Sequence, residues 1–221
     1  MAEGNRLENG HPSNGIVGSN PTLSDFSWEK FGSDFSFRFT IESDGEFLKQ
    51  WLLEPGVLRG FPMCSELEVD DAVKHWIPAA LEGRGITALY QGIPIGLANL
   101  NPQPHQRMHF FHLLSIVVAE RYRGKGLGAA LMRQLLRLAK ERLHLEYVLL
   151  EVYEGNPAVR LYERMGFVTI GKQPFALRES EGVYLNKVIM VFEIKKGSCW
   201  LPHLPEIRAC NSSVEPEATP R

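Results

Sequence analysis

The sequence predicts an α/β domain rich in short strands, and three stretches carry that reading. HFFHLLSIVV at 109–118 is an apolar run, β-branched towards its end and without helical spacing; it reads as a buried strand that leads into a glycine-rich turn and a helix. EYVLLEVY at 146–153 follows that helix as a second core strand. Upstream, ITALYQGIPIGLANL at 86–100 reads as a hairpin whose short strands meet at Gly92, with Pro94 marking an imperfect or edge position.

The other elements follow in order. FSFRFTI at 35–41 is an apolar strand candidate, and helical patterns lie near 45–53 and 68–81. After the glycines, Leu127, Leu131, Leu135 and Leu138 recur at spacings of four, four and three, the buried stripe of an amphipathic helix whose arginines and Lys140 face water. A short helix is predicted from Pro157 to Met165, with Asn156 as N-cap, Pro157 at the first helical position and Gly166 as the stop. Strands near 167–177 and 184–194 complete the domain.

At 221 residues and 44% apolar composition the chain can bury one sizeable core. The expected organisation is a folded domain over 25–195 between disordered tails at 1–24 and 196–221, where Gly, Asn, Ser, Pro and Glu accumulate without periodicity. Basic residues number 24 against 26 acidic ones, so a net charge of -2 gives no footprint for nucleic acid or an anionic membrane. Neither is an expected partner. No apolar run reaches the roughly 18 to 20 residues of a membrane span and no leader pattern opens the chain, so the expected location is the cytoplasm. Cys64, Cys199 and Cys210 lack metal-like spacing, which leaves free thiols and no metal site as the expectation.

The chemistry begins at RYRGKGLGAAL, residues 121–131. A strand that ends, turns through glycines and starts a helix presents several backbone N–H groups beside the positive end of the helix dipole, which is an anion site. Glycine permits unusual dihedrals there and removes the Cβ atoms that would hold a phosphate away. A Walker-type loop is excluded because Lys125 is followed by Gly126 and Leu127, with no hydroxyl to hold magnesium. A dinucleotide fingerprint fits poorly, since Gly124, Gly126 and Gly128 follow a G-x-G-x-G pattern.

Arg123, Gly126 and Gly128 match a third design: Gln or Arg, two residues, Gly, one residue, then Gly or Ala. Together with NPAVRLYERMGF at 156–167, they make residues 35–194 resemble the GCN5-related N-acetyltransferases (GNAT). The resemblance implies a mixed, mostly antiparallel twisted central sheet flanked by helices, with a V-shaped cofactor cleft between the strands at 109–118 and 146–153. It implies acetyl-coenzyme A as co-substrate. Its pantetheine arm would lie along Ile116, Val117 and Val118, and its pyrophosphate would meet the backbone amides of Arg123, Gly124, Lys125, Gly126, Leu127, Gly128 and Ala129. Asn156 corresponds to a family cofactor contact. Many relatives place seven positions between that Asn and the Tyr, whereas Asn156 to Tyr162 spans six, which sets an N-cap role beside the contact.

The implied activity is acetyl transfer to a primary amine of a small molecule or protein, by direct attack in a ternary complex. Charge develops on the thioester oxygen, which a backbone N–H near Val118 would stabilise. An alkyl ammonium with a pKa near 10 must lose a proton before it attacks. Glu151 is the first candidate base, by similarity to the ribosomal-protein alanine acetyltransferase branch; a structural ion pair is the competing reading. His112 and a water chain are the other options. Tyr162 occupies the position of the family tyrosine that protonates the departing thiolate, although the helical stripe Ala158, Leu161, Tyr162, Met165 also accounts for it as packing. Segment 33–72 carries nine acidic residues against three basic ones, a local charge of about -6 that would attract a cationic amine. Polyamines, aminoglycosides, amino acids and protein amino groups all remain open, as does a homodimer. The alternative to an enzyme is a non-catalytic acyl-coenzyme-A sensor or interaction module on the same fold.

Overall fold

The computed structural model describes residues 34–194; both tails, Cys199 and Cys210 lie outside the described residues. Seven strands form one sheet: β1 (Phe35–Phe39), β2 (Gly85–Tyr90), β3 (Ile93–Pro102), β4 (Phe111–Val118), β5 (Tyr147–Tyr153), β6 (Val168–Ser180) and β7 (Val183–Glu193). Their order is β1-β2-β3-β4-β5-β7-β6, and every pair is antiparallel except β4 with β5. The helices are α1 (Asp44–Leu53), α2 (Pro55–Leu58), α3 (Glu66–Leu81), α4 (Leu127–Glu141) and α5 (Val159–Arg164). This is the mixed, mostly antiparallel architecture that the family resemblance implies.

Two apolar layers hold the helices to opposite faces of the sheet. Leu127, Leu131, Leu135 and Leu138 of α4 are buried against Ile86, Ala98, Leu100, Leu114 and Val118 and the inward residues of β5 and β7. Each such leucine contributes roughly 1.5–3 kcal/mol through area removed from water. Arg133, Arg137 and Lys140 lie on the exposed side of the same helix, as the spacing predicts. On the other face, Leu48, Trp51 and Leu52 of α1, Val57 of α2 and Val69 and Ile77 of α3 cover Leu97, Val117 and Ala119.

Local rules explain most boundaries. Ser65 and Glu68 form a capping box at the start of α3: the Glu68 N–H donates to Ser65 Oγ at 3.3 Å, and Glu68 Oε2 accepts from Ser65 N at 3.1 Å. The β2–β3 hairpin turns through Gln91 (φ 48°) and Gly92 (φ 80°), the two positive φ values of a type I′ turn. Pro94 lies beside a register shift at Ala88/Leu89, outside the β3–β4 ladder that begins at Gly96, so its missing N–H interrupts nothing there. Gly166, at φ 93°, ends α5. The regular part of that helix starts two residues after Pro157, and Asn156 caps the turn that leads into it.

The acidic segment is partly consumed by the fold. Asp44, buried at the start of α1, accepts bidentate bonds from Arg38 at 2.7 Å and one from Thr87 Oγ1 at 2.7 Å. Lys49 bridges Glu66 and Asp70.

Candidate active site

Strands β4 and β5 pair in parallel only from Phe111–Leu113 to Tyr147–Leu149. Beyond that point β4 continues to Val118 beside β3 and β5 continues to Tyr153 beside β7, so the two edges separate into a V. Backbone polarity within the V follows from alternation along the strand. The Ala119 N–H donates to Ile95 O at 3.1 Å on β3, which turns the N–H and C=O of Val118 and Ile116 the other way, into the opening. Val118 O is taken by Arg123 Nε at 3.0 Å, while its N–H faces the gap. An extended chain with amide groups could therefore add to this edge as a strand would. Val117 points to the α1–α3 face, where it is buried.

The glycine loop adjoins the mouth of this V. After a 3-10 turn at Glu120–Tyr122, Arg123 is extended and Gly124 (φ 73°) and Gly126 (φ 86°) take left-handed conformations before α4 begins. A Cβ at either glycine would meet no atom within 4 Å, so the backbone lies open to a ligand there. The first intrahelical bond runs from the Ala130 N–H to Gly126 O, leaving the N–H groups of Leu127, Gly128 and Ala129 as orphan donors at the helix start. Gly128 has a different reason to be small: a Cβ would sit 3.2 Å from Leu161 Cδ2 of α5. Lys125 Nζ and the Arg121 guanidinium lie 5.5 Å and 4.8 Å from the centre of the Tyr122 ring. The residues fit an anionic, phosphate-bearing cofactor: an open backbone cradle, a dipole end and cations at the rim.

The Gly128–Leu161 contact brings α5 to the start of α4, and Tyr162 is buried there. Burial pushes its phenol up to about 12, against a weaker opposing pull from Arg123, so the hydroxyl stays protonated at neutral pH and keeps a proton to donate. Glu151 lies on the opposite face of the sheet, since Val148, Leu150 and Val152 take the α4 side. Its carboxylate accepts from Lys187 Nζ at 2.8 Å, the ion pair that competes with a role as base. Tyr153 stands beside this pair, its phenol raised first by burial, with Lys187 lowering it and Glu151 raising it.

His112 alternates with Leu114 onto the α4 side, within the stretch still paired to β5. Burial, with Arg84 and then His109, lowers its pKa to about 4, and its Nδ1 has no partner. That geometry favours a neutral core histidine over a base in the V. Asn156 Oδ1 accepts from the Ala158 N–H at 2.9 Å, and a Cβ on Gly60 would lie 3.3 Å from Asn156 Nδ2.

Residues 54–60, which the sequence reading took only as part of the acidic stretch 33–72, run across the V on the α1–α3 side. Glu54 Oε2 accepts from the Glu120 N–H at 2.7 Å, Arg123 Nη1 donates to Gly56 O at 2.7 Å, Arg59 pairs with Glu179 at 2.9 Å, and Gly60 meets Asn156. The segment thus spans from the end of β4 to the end of β5. The turn-forming Pro55-Gly56 and Gly60 were visible in the sequence; their partners, 60 to 120 residues away, were not.

Comparison with known proteins agrees with this geometry. Residues 45–167 match the family model for the acetyltransferase (GNAT) family. An N-alpha-acetyltransferase of Sulfurisphaera tokodaii is 32% identical over 108 residues, a stretch that spans 48% of this chain and 64% of that protein, just under two thirds of its length. The L-amino acid N-acetyltransferase AaaT of Escherichia coli is 27% identical over 157 residues, covering 68% of this chain and 94% of the relative. Among solved structures, yncA from Salmonella typhimurium, determined with its cofactor acetyl-CoA, shares the fold with a TM-score of 0.65 at 18% identity, over 75% of this chain and 97% of that one. The split parallel pair, the open glycine loop and a family match across more than half the sequence lead to one assignment: the chain belongs to the acetyltransferase (GNAT) family.

Proposed function

We propose that this protein transfers the acetyl group of acetyl-coenzyme A directly to a primary amine of a small molecule or protein within a ternary complex. The observation that carries the reading is the Val118 N–H, directed into the V between β4 and β5 beside the open loop at Gly124 and Gly126. A thioester whose pyrophosphate rests on the loop amides and whose arm follows Ile116 and Val118 would present its carbonyl to that N–H, which stabilises the oxygen as charge develops.

The amine approaches from the α1–α3 face, where Glu151 stands, and loses one proton to that carboxylate directly or through water before it attacks; the second proton leaves the nitrogen as the C–S bond breaks and passes through water to the departing thiolate. Lys187 would have to release Glu151 or share it as this proton arrives. Tyr162, held neutral, donates a hydrogen bond to the departing sulfur. Because its pKa lies above the ~8.5 of an ordinary thiol, full transfer of the phenol proton to the thiolate is uphill, and the role assigned to Tyr162 is a hydrogen bond to sulfur. Among the described residues no helix is long and apolar enough to cross a membrane. The test is release of free thiol from acetyl-coenzyme A with and without pooled amines. Amine-dependent release is expected; tight coenzyme A binding without any release would favour the sensor reading.

A further inference from the structure

The acceptor-side face of β3 and β4 carries a chain of polar side chains with a fixed direction. Asn101 Nδ2 donates to the Leu113 carbonyl at 3.2 Å and to Ser115 Oγ at 2.9 Å. A carbonyl only accepts, so the atom facing it must be the amide nitrogen, and Asn101 cannot be flipped. Its Oδ1 then accepts from Asn99 Nδ2 at 2.8 Å. Asn99 is fully buried and its own Oδ1 finds no partner. Turning that amide around would set two carbonyl oxygens against each other, so the orientation of Asn101 leaves Asn99 Oδ1 buried and unpaired.

The consequence falls on Ser115. Its oxygen accepts from Asn101, and among the described residues its proton meets no acceptor, so the hydroxyl is left as a donor. The parallel register that pairs Leu113 with Leu149 carries forward to Ser115 and Glu151, which face the same side across the widening gap. A donor and a carboxylate on the same face of this gap form a two-point pattern: the carboxylate suits an amine, and the donor suits an oxygen on the same acceptor.

Building on the acetyl-transfer reading, we infer that Ser115 is a specificity-determining residue, its hydroxyl binding the carbonyl oxygen next to an α-amino group. The acceptor class is then an α-amino carbonyl compound, an amino acid or the first residue of a peptide. A polyamine offers no such oxygen. Asn99 and Asn101 are positioning residues, which act by fixing the direction of the Ser115 hydroxyl.

The experiment compares leucinamide with isoamylamine, which lacks the carbonyl, in the wild type, Ser115→Ala, Ser115→Thr and Asn101→Asp. The wild type should prefer leucinamide in kcat/KM, and Ser115→Ala should shrink the ratio about 3- to 10-fold, the effect of one hydrogen bond. Dividing by the wild-type ratio cancels the different basicities of the two amines. Ser115→Thr should keep the preference. Asn101→Asp should lose it although the serine remains, because the new carboxylate accepts the Ser115 proton and withdraws it from substrate. If Ser115→Ala does not fold, the last two variants make the same comparison. A ratio unchanged in both Ser115→Ala and Asn101→Asp overturns the inference while leaving acetyl transfer standing. Absence of turnover with every amine in the wild type overturns the acetyl-transfer reading itself, and this inference with it.

Discussion

Arg123 ties the last residue of β4 to the segment that crosses the cleft: Nε donates to Val118 O at 3.0 Å and Nη1 to Gly56 O at 2.7 Å. One side chain therefore connects the strand edge proposed to hold the thioester with the segment that covers the proposed acceptor side. Replacing it affects both. Arg123→Ala removes two charge-assisted bonds at an exposed site, each worth about 1 kcal/mol after solvent screening, so kcat/KM should fall on the order of 5- to 30-fold. The diagnostic feature is a rise in KM for both substrates, measured with each varied in turn. A change confined to one substrate would show that the two contacts are independent.

At the glycine loop, Gly126 combines a φ of 86° with open space where its Cβ would be. Gly126→Asp places bulk, backbone strain and a negative charge at the proposed pyrophosphate site. Coenzyme A binding by isothermal titration should be abolished while circular dichroism remains that of the wild type. Undiminished binding to a folded variant would remove the loop from the site.

Tyr162→Phe keeps the ring in its packed position, 6.1 Å from Phe167, and removes only the hydroxyl. Because that group is proposed to act as the sulfur departs, kcat should fall about 10- to 1000-fold with little change in coenzyme A affinity. With the phenol raised to about 12, the wild-type rate should show no loss through Tyr162 ionisation below about pH 10. Wild-type turnover in the Phe variant would leave Tyr162 as packing alone.

His112 makes a prediction about stability. Its pKa is lowered to about 4 from the ordinary imidazole value of 6.5, so the unfolded chain binds a proton that the folded chain refuses. The stability this contributes is complete above pH 6.5 and is lost as pH falls towards 4. His112→Gln, which cannot titrate, should flatten that part of the stability profile in urea denaturation. An unchanged slope between pH 6.5 and 4 would mean that the imidazole is solvated or paired in solution.

What the sequence disclosed tracks how local each signal is. The leucine stripe of α4 and the Gly166 stop are set by neighbours within a turn or two, and both stand as read. The loop at Arg123, Gly126 and Gly128 was legible because strand end, glycines and helix start are contiguous, although Gly128 is small for Leu161, whereas Gly124 and Gly126 are glycines for their backbone angles. α2 was not foreseen, since four residues carry no periodicity. The chain from Asn99 through Asn101 to Ser115 depends on the β3–β4 register, which pairs Asn99 with Ser115, and nothing in the local composition fixes that pairing. The Lys187–Glu151 bond depends likewise on β7 lying beside β5.

The central claim is direct acetyl transfer in the V between β4 and β5. The most direct measurement supplies acetyl-coenzyme A labelled in its acetyl group together with an amine mixture, and follows label and free thiol by mass spectrometry. Direct transfer yields labelled amide and free thiol in equal amounts, both absent with Gly126→Asp. Thiol released at the same rate without any amine, or an amide formed equally well by the Gly126→Asp variant, would contradict it.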